Sequence, residues 1–144
     1  MRSDVILRIV AKLLIPVALI FALYVQFHGD FGPGGGFQAG AIAAAAVVLY
    51  AVIFGLEATR RGVPERLVEA MVALGVLLYA GVGFAGIALG GNFLDYFVLD
   101  ADTVVGQLRG IFWVEAGVGI TVAGVMLKIF YLFAGRGRNF EDDR

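Results

Sequence analysis

Four apolar segments, each long enough to cross a lipid bilayer, restrict what this chain can fold into. They cover roughly residues 5–27, 37–56, 67–90 and 111–134, and a polar tail follows over 135–144. A helix needs about 20 residues to cross ~30 Å of hydrocarbon, whereas a membrane strand is about half as long and alternates in polarity. Because lipid offers no partner for free backbone groups, helices are favoured. We therefore predict an all-α integral membrane protein with four transmembrane helices in a single domain over residues 1–144.

The basic residues are distributed unevenly between the two sides of such a protein. If all four segments span, every Lys and Arg except Arg109 lies on the side that holds both termini. The opposite side carries Arg109 together with several aspartates, including Asp100 and Asp102. Short loops rich in Lys and Arg stay in the cytoplasm. The sequence thus predicts a multi-pass protein whose N- and C-termini are both cytoplasmic.

The composition limits the chemistry that the chain can perform. Hydrophobic residues make up 60% of it and charged residues only 16%, which leaves little polar mass outside the membrane. Cysteine is absent and His28 is the only histidine, so thiolate metal sites, Fe–S clusters and a haem or zinc site built by this chain alone are excluded. The net charge of −1 gives no case for nucleic-acid binding. We expect no enzymatic activity, no resident metal and no cofactor.

A polar interruption between the first two segments has the character of a signature. It reads HGDFGPGGGFQ over residues 28–38. Proline ends an extended helix and suits a first helical turn, and glycines permit backbone shapes and close approaches that other residues do not. The free N–H groups of the following helix could attract an anion, but no Lys-Ser/Thr follows, and a tight packing turn is the favoured interpretation. The candidate residues of this structural signature are His28, Pro33, Gly34, Gly35, Gly36, Phe37 and Gln38.

Two charged residues fall inside the predicted spans. Glu115 lies about one turn into the fourth segment, where a buried carboxylate can bind H⁺ or Na⁺; the alternative is an interfacial glutamate exposed to water or paired with Arg109. If hydrocarbon began after Lys12, the helix up to His28 would measure only about 22 Å, so Lys12 is drawn below the interface. There it either snorkels to the headgroups or serves an ion path or an ion pair with a neighbouring protein of a complex.

Small residues in the last three segments indicate where helices pack closely. In lipid, Gly and Ala allow helix backbones to approach each other. The third segment includes a small-xxx-small pair at Gly86 and Gly90. Two explanations stay open: these faces pack the chain's own four helices, or some of them contact other subunits. Further candidates are Gly40, Gly75, Gly117, Gly119 and Gly124.

The segment HGDFGPGGGFQAG, residues 28–40, with the alanine-rich helix that follows, resembles the signature of the MnhB/MrpB family, the B-type subunits of Mrp-type multisubunit Na⁺/H⁺ antiporters. The resemblance covers nearly the whole chain, including a first helix with Arg8 and Lys12. Members often have Asp near the position of Glu115, which is one methylene longer. The resemblance implies a subunit of a hetero-oligomeric complex in a bacterial cytoplasmic membrane that exchanges cytoplasmic Na⁺ for external H⁺. This subunit would contribute to assembly, with a role in the sodium path left open.

The resemblance leaves two other functions to be weighed. Related domains occur in membrane-bound hydrogenase-type respiratory complexes, where redox centres would lie on other chains because this one has no Cys. A purely structural assembly role is the third interpretation. If the chain handles ions, Glu115 is the expected carboxylate, and Lys12 is its charged counterpart or a contact to a partner subunit. The segment from Pro33 to Phe37 would fix the outer turn.

Overall fold

The computed structural model describes residues 2–29 and 34–136, and within these ranges it consists of helices and their connections. Four of the helices are long and apolar enough to cross a membrane. The predicted all-α fold with four spanning helices is thereby confirmed. Pro33 and residues 137–144 of the polar tail lie outside the described residues. The cytoplasmic placement of both termini and the single-domain organisation stay predictions.

The helix bounds agree with the predicted ones to within a few residues, with two differences. Residues 56–62 of the second connection form a short helix of their own, and the last helix begins at Thr103 instead of residue 111. It begins early because Asp102 caps it: the side-chain Oδ1 accepts a hydrogen bond from the N–H of Val104 at 2.9 Å. The helices are α1 (Arg2–His28), α2 (Gly36–Phe54), α3 (Leu56–Gly62), α4 (Glu65–Ala88) and α5 (Thr103–Arg136).

The long helices pack side by side in the order α1, α2, α5, α4, so α5 lies between α2 and α4 although it comes last in the chain. Glycine makes both contacts of α5 close. Gly40 of α2 faces the backbone of Gly119, and Gly75 of α4 faces the backbone at Gly117. Residues two apart on a helix point to nearly opposite sides. The chain's own helices therefore use the small residues that the sequence singled out on α5.

Helix α1 lies at one edge of this row and makes a narrow contact stripe. Ala11 and Ile15 are buried and pack with Ala46 of α2, and Ala22 continues the stripe two turns further on. Most other large side chains of α1 are exposed, for example Leu13 at 70%. Such a helix suits a position facing lipid or another protein of a complex.

The connection between α4 and α5 folds back onto both helices. The ring of Phe93 covers Gly83, and the ring of Tyr96, in a short 3-10 turn, covers Gly110. Burial raises the pKa of the Tyr96 hydroxyl. Gly86 faces the backbone of this connection, and Gly90 has open surroundings and a φ of +90° where α4 has ended. Gly86 and Gly90 therefore form no helix–helix contact within the chain, and a contact of this pair with another subunit stays a prediction.

Tyr131 lies near the other ends of the helices, away from the connection between α4 and α5. Its hydroxyl donates a hydrogen bond to the carbonyl oxygen of Val63 at 2.9 Å. Its buried ring packs with Val68 and Leu127, and the guanidinium of Arg60 lies 5.6 Å from the ring centroid. These contacts fasten the connection that contains α3 to the last turns of α5.

Candidate functional site

Glu115 lies where α5 passes the glycine turn, the segment of residues 29–36 that joins α1 to α2. Its side chain is half-buried. Oε2 lies 2.8 Å from the position that a Cβ would take on Gly29, and Oε1 lies 2.8 Å from the same position on Gly35. The carboxylate thus lies between the two described arms of the turn, in space that any other residue type would fill. The sequence indicated both parts of this site but not that they meet.

The backbone of α5 approaches α2 at the same place. A Cβ on Gly36 would overlap the main-chain carbonyl oxygen of Glu115. Gly35 has φ 144° and ψ −174°, a region of backbone space that is essentially restricted to glycine. Both residues must therefore be glycine for α2 to begin here, against α5.

The first turn of α2 affects the electrostatics of the carboxylate. Gly35 is the N-cap residue and offers no side-chain acceptor to the first N–H groups of α2. The Glu115 carboxylate lies beside this residue. Negative charge is favoured at a helix N-terminus because the peptide dipoles point their positive ends there. The carboxylate therefore lies beside the positive end of the α2 dipole.

The other signature residues have varied surroundings. The ring of His28 stacks on Tyr24, with centroids 5.0 Å apart. Gly34 lies against Val25, whose Cγ1 would be 3.2 Å from an added Cβ. Phe37 is 63% exposed, and Gln38 is exposed as well. The described part of the turn therefore faces the protein through its glycines, while Phe37 is available to lipid or to a partner.

Gln26 is a polar residue of the site that does not stand out in the sequence. It lies about one turn before Gly29 on α1, and its Nε2 is buried with no hydrogen-bond partner among the described residues. Its Oε1 lies 2.7 Å from the position of a Cβ on Gly119, one turn beyond Glu115. A lone glutamine in an otherwise apolar span was the available signal, because amides inside a membrane are costly unless they serve a contact.

Lys12 lies far from this site. It is exposed on α1, and the 17 residues from Lys12 to Gly29 correspond to about 25 Å of helix. The structure therefore does not bring Lys12 and Glu115 together within this chain. Arg109, the other basic residue considered for Glu115, is paired with Asp100. Snorkelling of Lys12 to the headgroups and its contact with a partner protein both stay predictions.

The arrangement offers oxygen ligands and a titratable group. A carboxylate in a spanning helix can be neutralised by a proton or by Na⁺, and hard cations prefer carboxylate and carbonyl oxygens. Across residues 2–29 and 34–136, no group of three or more His, Cys, Asp and Glu side chains is placed to hold a metal ion. The fold and the site together define a multi-pass membrane protein with an ionisable group at a helix–turn contact, as in ion transporters.

Comparison with known proteins gives the family. Residues 6–128 match the family model described as a domain related to the MnhB subunit of Na⁺/H⁺ antiporter. The B-type Na⁺/H⁺ antiporter subunit from Alkalihalophilus pseudofirmus is 28% identical over 135 residues, which cover 92% of this chain and 93% of that protein. A Staphylococcus aureus protein bearing the name antiporter subunit mnhB2 is 30% identical over 137 residues, covering 93% and 96%.

The chain belongs to the MnhB-related family, and the resemblance seen in residues 28–40 is confirmed. Together with the four spanning helices, the family identifies a multi-pass bacterial membrane protein.

Proposed function

We propose that this chain is the B-type membrane subunit of a multisubunit Na⁺/H⁺ antiporter, and that Glu115 and the glycine turn form part of its ion path. The contact of the Glu115 carboxylate with Gly29 and Gly35 is the observation that carries the second half of the proposal. Membership of the MnhB-related family and relatives named as antiporter subunits support the first half.

The local chemistry suits exchange of two cations at one place. A carboxylate cannot bind H⁺ and Na⁺ at the same oxygens at once, so alternate occupancy couples the two ions. The N-terminal end of α2 lies beside the carboxylate and attracts its negative charge. The glycines let the carboxylate approach the turn, because a side chain at Gly29 or Gly35 would collide with its oxygens.

The proposal assigns the remaining parts of the complex to other chains. Large exposed apolar side chains cover much of α1, including Ile20 at 67% and Leu23 at 59%, and they suit contacts with other antiporter subunits and with lipid. The chain performs no enzymatic step in this proposal and holds no cofactor, since Na⁺ and H⁺ are its cargo. By the positive-inside rule the glycine turn faces the outside of a cytoplasmic membrane.

The test is Na⁺-dependent ΔpH in inverted vesicles from antiporter-deficient cells that express all subunits of the complex. Glu115→Gln removes the charge and keeps the shape of the side chain. We expect the complex to assemble on a native gel and to lose exchange. Glu57→Gln, at an exposed position on α3, is the matched control and should exchange at the wild-type rate.

Other outcomes would favour the rival functions. Full exchange by an assembled Glu115→Gln complex would exclude this carboxylate from the ion path and leave an assembly role. Co-purification with redox-active chains in place of antiporter subunits would point to a hydrogenase-type complex and would overturn the proposal.

A further inference from the structure

A polar pocket lies where the last turns of α5 meet α3 and the beginning of α4. It has a volume of about 230 Å³, and three of the residues that line it are basic, namely Arg60, Lys128 and Arg136. We call it the basic pocket. The 16 residues from Glu115 to Tyr131, which also lines the pocket, correspond to about 24 Å of helix. The basic pocket is therefore separate from the site at Glu115.

The charges around the basic pocket favour an anion. Arg60 Nη2 lies 2.8 Å from Glu65 Oε1, and Lys128 Nζ lies 2.5 Å from Glu69 Oε1. Arg136 adds a third positive charge to the lining. Three positive charges against two carboxylates leave a net positive charge, which attracts anions over distances of about a Debye length.

One hydrogen-bond donor of Arg60 is left without an acceptor. Its Nε is buried and has no hydrogen-bond partner among the described residues. A buried donor without an acceptor is unfavourable, and in folded proteins such a group commonly marks a bound water or ion that completes the site. A guanidinium only donates hydrogen bonds, so the missing group is an acceptor. An oxygen of a phosphate satisfies this requirement and also matches the charge.

The guanidinium of Arg60 is held in place before any ligand binds. It lies over the ring of Tyr131, with 5.6 Å between Cζ and the ring centroid. Its Nη2 also lies close to α5, only 3.2 Å from the position that a Cβ would take on Gly135. A donor that is already fixed loses little conformational entropy on binding, which favours affinity.

The apolar side of the basic pocket indicates where the anion comes from. Leu132 lines the pocket and is 60% exposed, and the next residue, Phe133, is 71% exposed. Both lie near the end of a helix that is long and apolar enough to span the membrane. Exposed apolar side chains next to basic ones at such a helix end suit a phospholipid, whose acyl chains and phosphate contact the two kinds of surface. A free phosphate ion would contact the basic residues alone.

We propose that the basic pocket binds the headgroup phosphate of an anionic phospholipid. Arg60 Nε donates a hydrogen bond to a phosphate oxygen, and Lys128 and Arg136 contribute positive charge. A zwitterionic phospholipid carries a positive group beside its phosphate and therefore binds less well. The lipid site does not depend on whether Glu115 lies on the ion path.

The test uses the purified complex that contains the full chain and a phosphatidylglycerol with a photoreactive acyl chain. Labelling is measured on the tryptic peptide that begins at residue 129, after Lys128. Arg60→Gln should raise the lipid concentration for half-maximal labelling about tenfold, as for the loss of a hydrogen bond to a charged group. Arg61→Gln is the matched control, because Arg61 is an exposed residue of the same helix and does not line the pocket. Equal changes in the two variants would show a general effect of charge and would overturn the proposal.

A second variant is needed because Arg60 also contacts Glu65 and Tyr131. Arg136 is exposed at the end of α5, so Arg136→Gln should leave assembly unchanged. We expect it to raise the concentration for half-maximal labelling about fivefold, the effect of one basic residue on binding to an anionic membrane surface. If Arg60→Gln does not assemble, Arg136→Gln decides the question, and unchanged labelling in this variant would reject the lipid site.

Competition distinguishes a lipid from a free anion. Unlabelled phosphatidylglycerol should displace the photoreactive lipid from the peptide, whereas phosphatidylcholine should displace little of it. Inorganic phosphate should have no more effect than sodium chloride at equal ionic strength. Displacement by inorganic phosphate alone would identify a site for a free anion and contradict the proposal, as would absence of labelling on this peptide. No ion gradient is needed for labelling, so the result is separate from that of the exchange assay.

Discussion

Gly36 and Glu115 are in direct backbone contact, and a side chain on Gly36 would overlap the main-chain carbonyl oxygen of Glu115. This contact sets the distance between the start of α2 and the middle helix of the row. It also holds the Glu115 side chain against the glycine turn.

Replacing Gly36 by Ala should therefore separate α2 from α5. Because the clash is between a Cβ and rigid backbone, no side-chain rotation relieves it, and we expect a loss of about 3 kcal/mol or more in stability. The measurement is thermal denaturation of the detergent-solubilised complex, followed by size-exclusion chromatography.

The control for this variant lies on α4. Gly81 is exposed, with nothing within 4 Å of an added Cβ, so Gly81→Ala should be neutral or stabilising by up to about 1 kcal/mol through helix propensity. Similar losses for both variants would show that the contact of Gly36 with Glu115 has no special importance.

Gly35 allows backbone strain to be separated from the effect on the carboxylate. Gly35 and Gly90 both have positive φ, 144° and 90°, but only Gly35 has neighbours, with Glu115 Oε1 2.8 Å from an added Cβ. Ala at either position should cost about 1–3 kcal/mol in backbone strain. Only Gly35→Ala should also impair Na⁺-dependent exchange, as measured in inverted vesicles, and equal impairment by Gly90→Ala would contradict a specific effect on Glu115.

The orientation of the chain can be tested directly because cysteine is absent from it. Single cysteines are introduced at Gly62, at the end of α3, and at Ala101, in the connection before α5; both positions are exposed. The positive-inside rule predicts that a membrane-impermeant maleimide labels Ala101→Cys in intact cells. Gly62→Cys should react only after permeabilisation. The reverse pattern would place both termini outside and the glycine turn in the cytoplasm.

The ion pair between Lys128 and Glu69 should contribute little to stability. Lys128 Nζ lies 2.5 Å from Glu69 Oε1, and the side chains are 30% and 59% exposed. Exposed pairs of this kind contribute little to stability, because water screens the two charges and holding two long side chains in place costs entropy, and salt weakens them further. A double-mutant cycle with Lys128→Met and Glu69→Gln, measured by unfolding in detergent at low and high salt, gives the coupling energy directly. A strong coupling that salt does not weaken would mean that lipid or a partner protein removes the pair from water.

The helices could be predicted from sequence because spanning a bilayer imposes a minimum apolar length on each segment. The bounds that differ depend on single residues. The start of α5 is set by the hydrogen bond from the Val104 N–H to Asp102, in a stretch whose aspartates and Arg109 otherwise indicate a loop. The break at Gly55, where φ is 98° and α3 begins, likewise depends on one residue.

The site was only half predictable for a different reason. Glu115 and the glycine turn each attract attention, one as a charge in a span and the other as a glycine run. Their contact depends on α5 packing between α2 and α4, and hydrophobic periodicity does not reveal helix order because all four spans are apolar on most sides. Gln26 escaped notice because a neutral amide changes neither the charge nor the apparent length of α1. Its proximity to Gly119 depends on how α1 packs near α5.

Because the described helices pack side by side, they form a single layer and do not surround a pore. Within the chain, only 17% to 33% of an 18-residue apolar window in each span is buried, so even the middle helices leave many side chains partly uncovered. An ion beside Glu115 therefore contacts this protein on one side, and another protein must enclose its other side. If ions follow this surface, they pass along the interface between two proteins. Residues of either protein can then alter the ion selectivity.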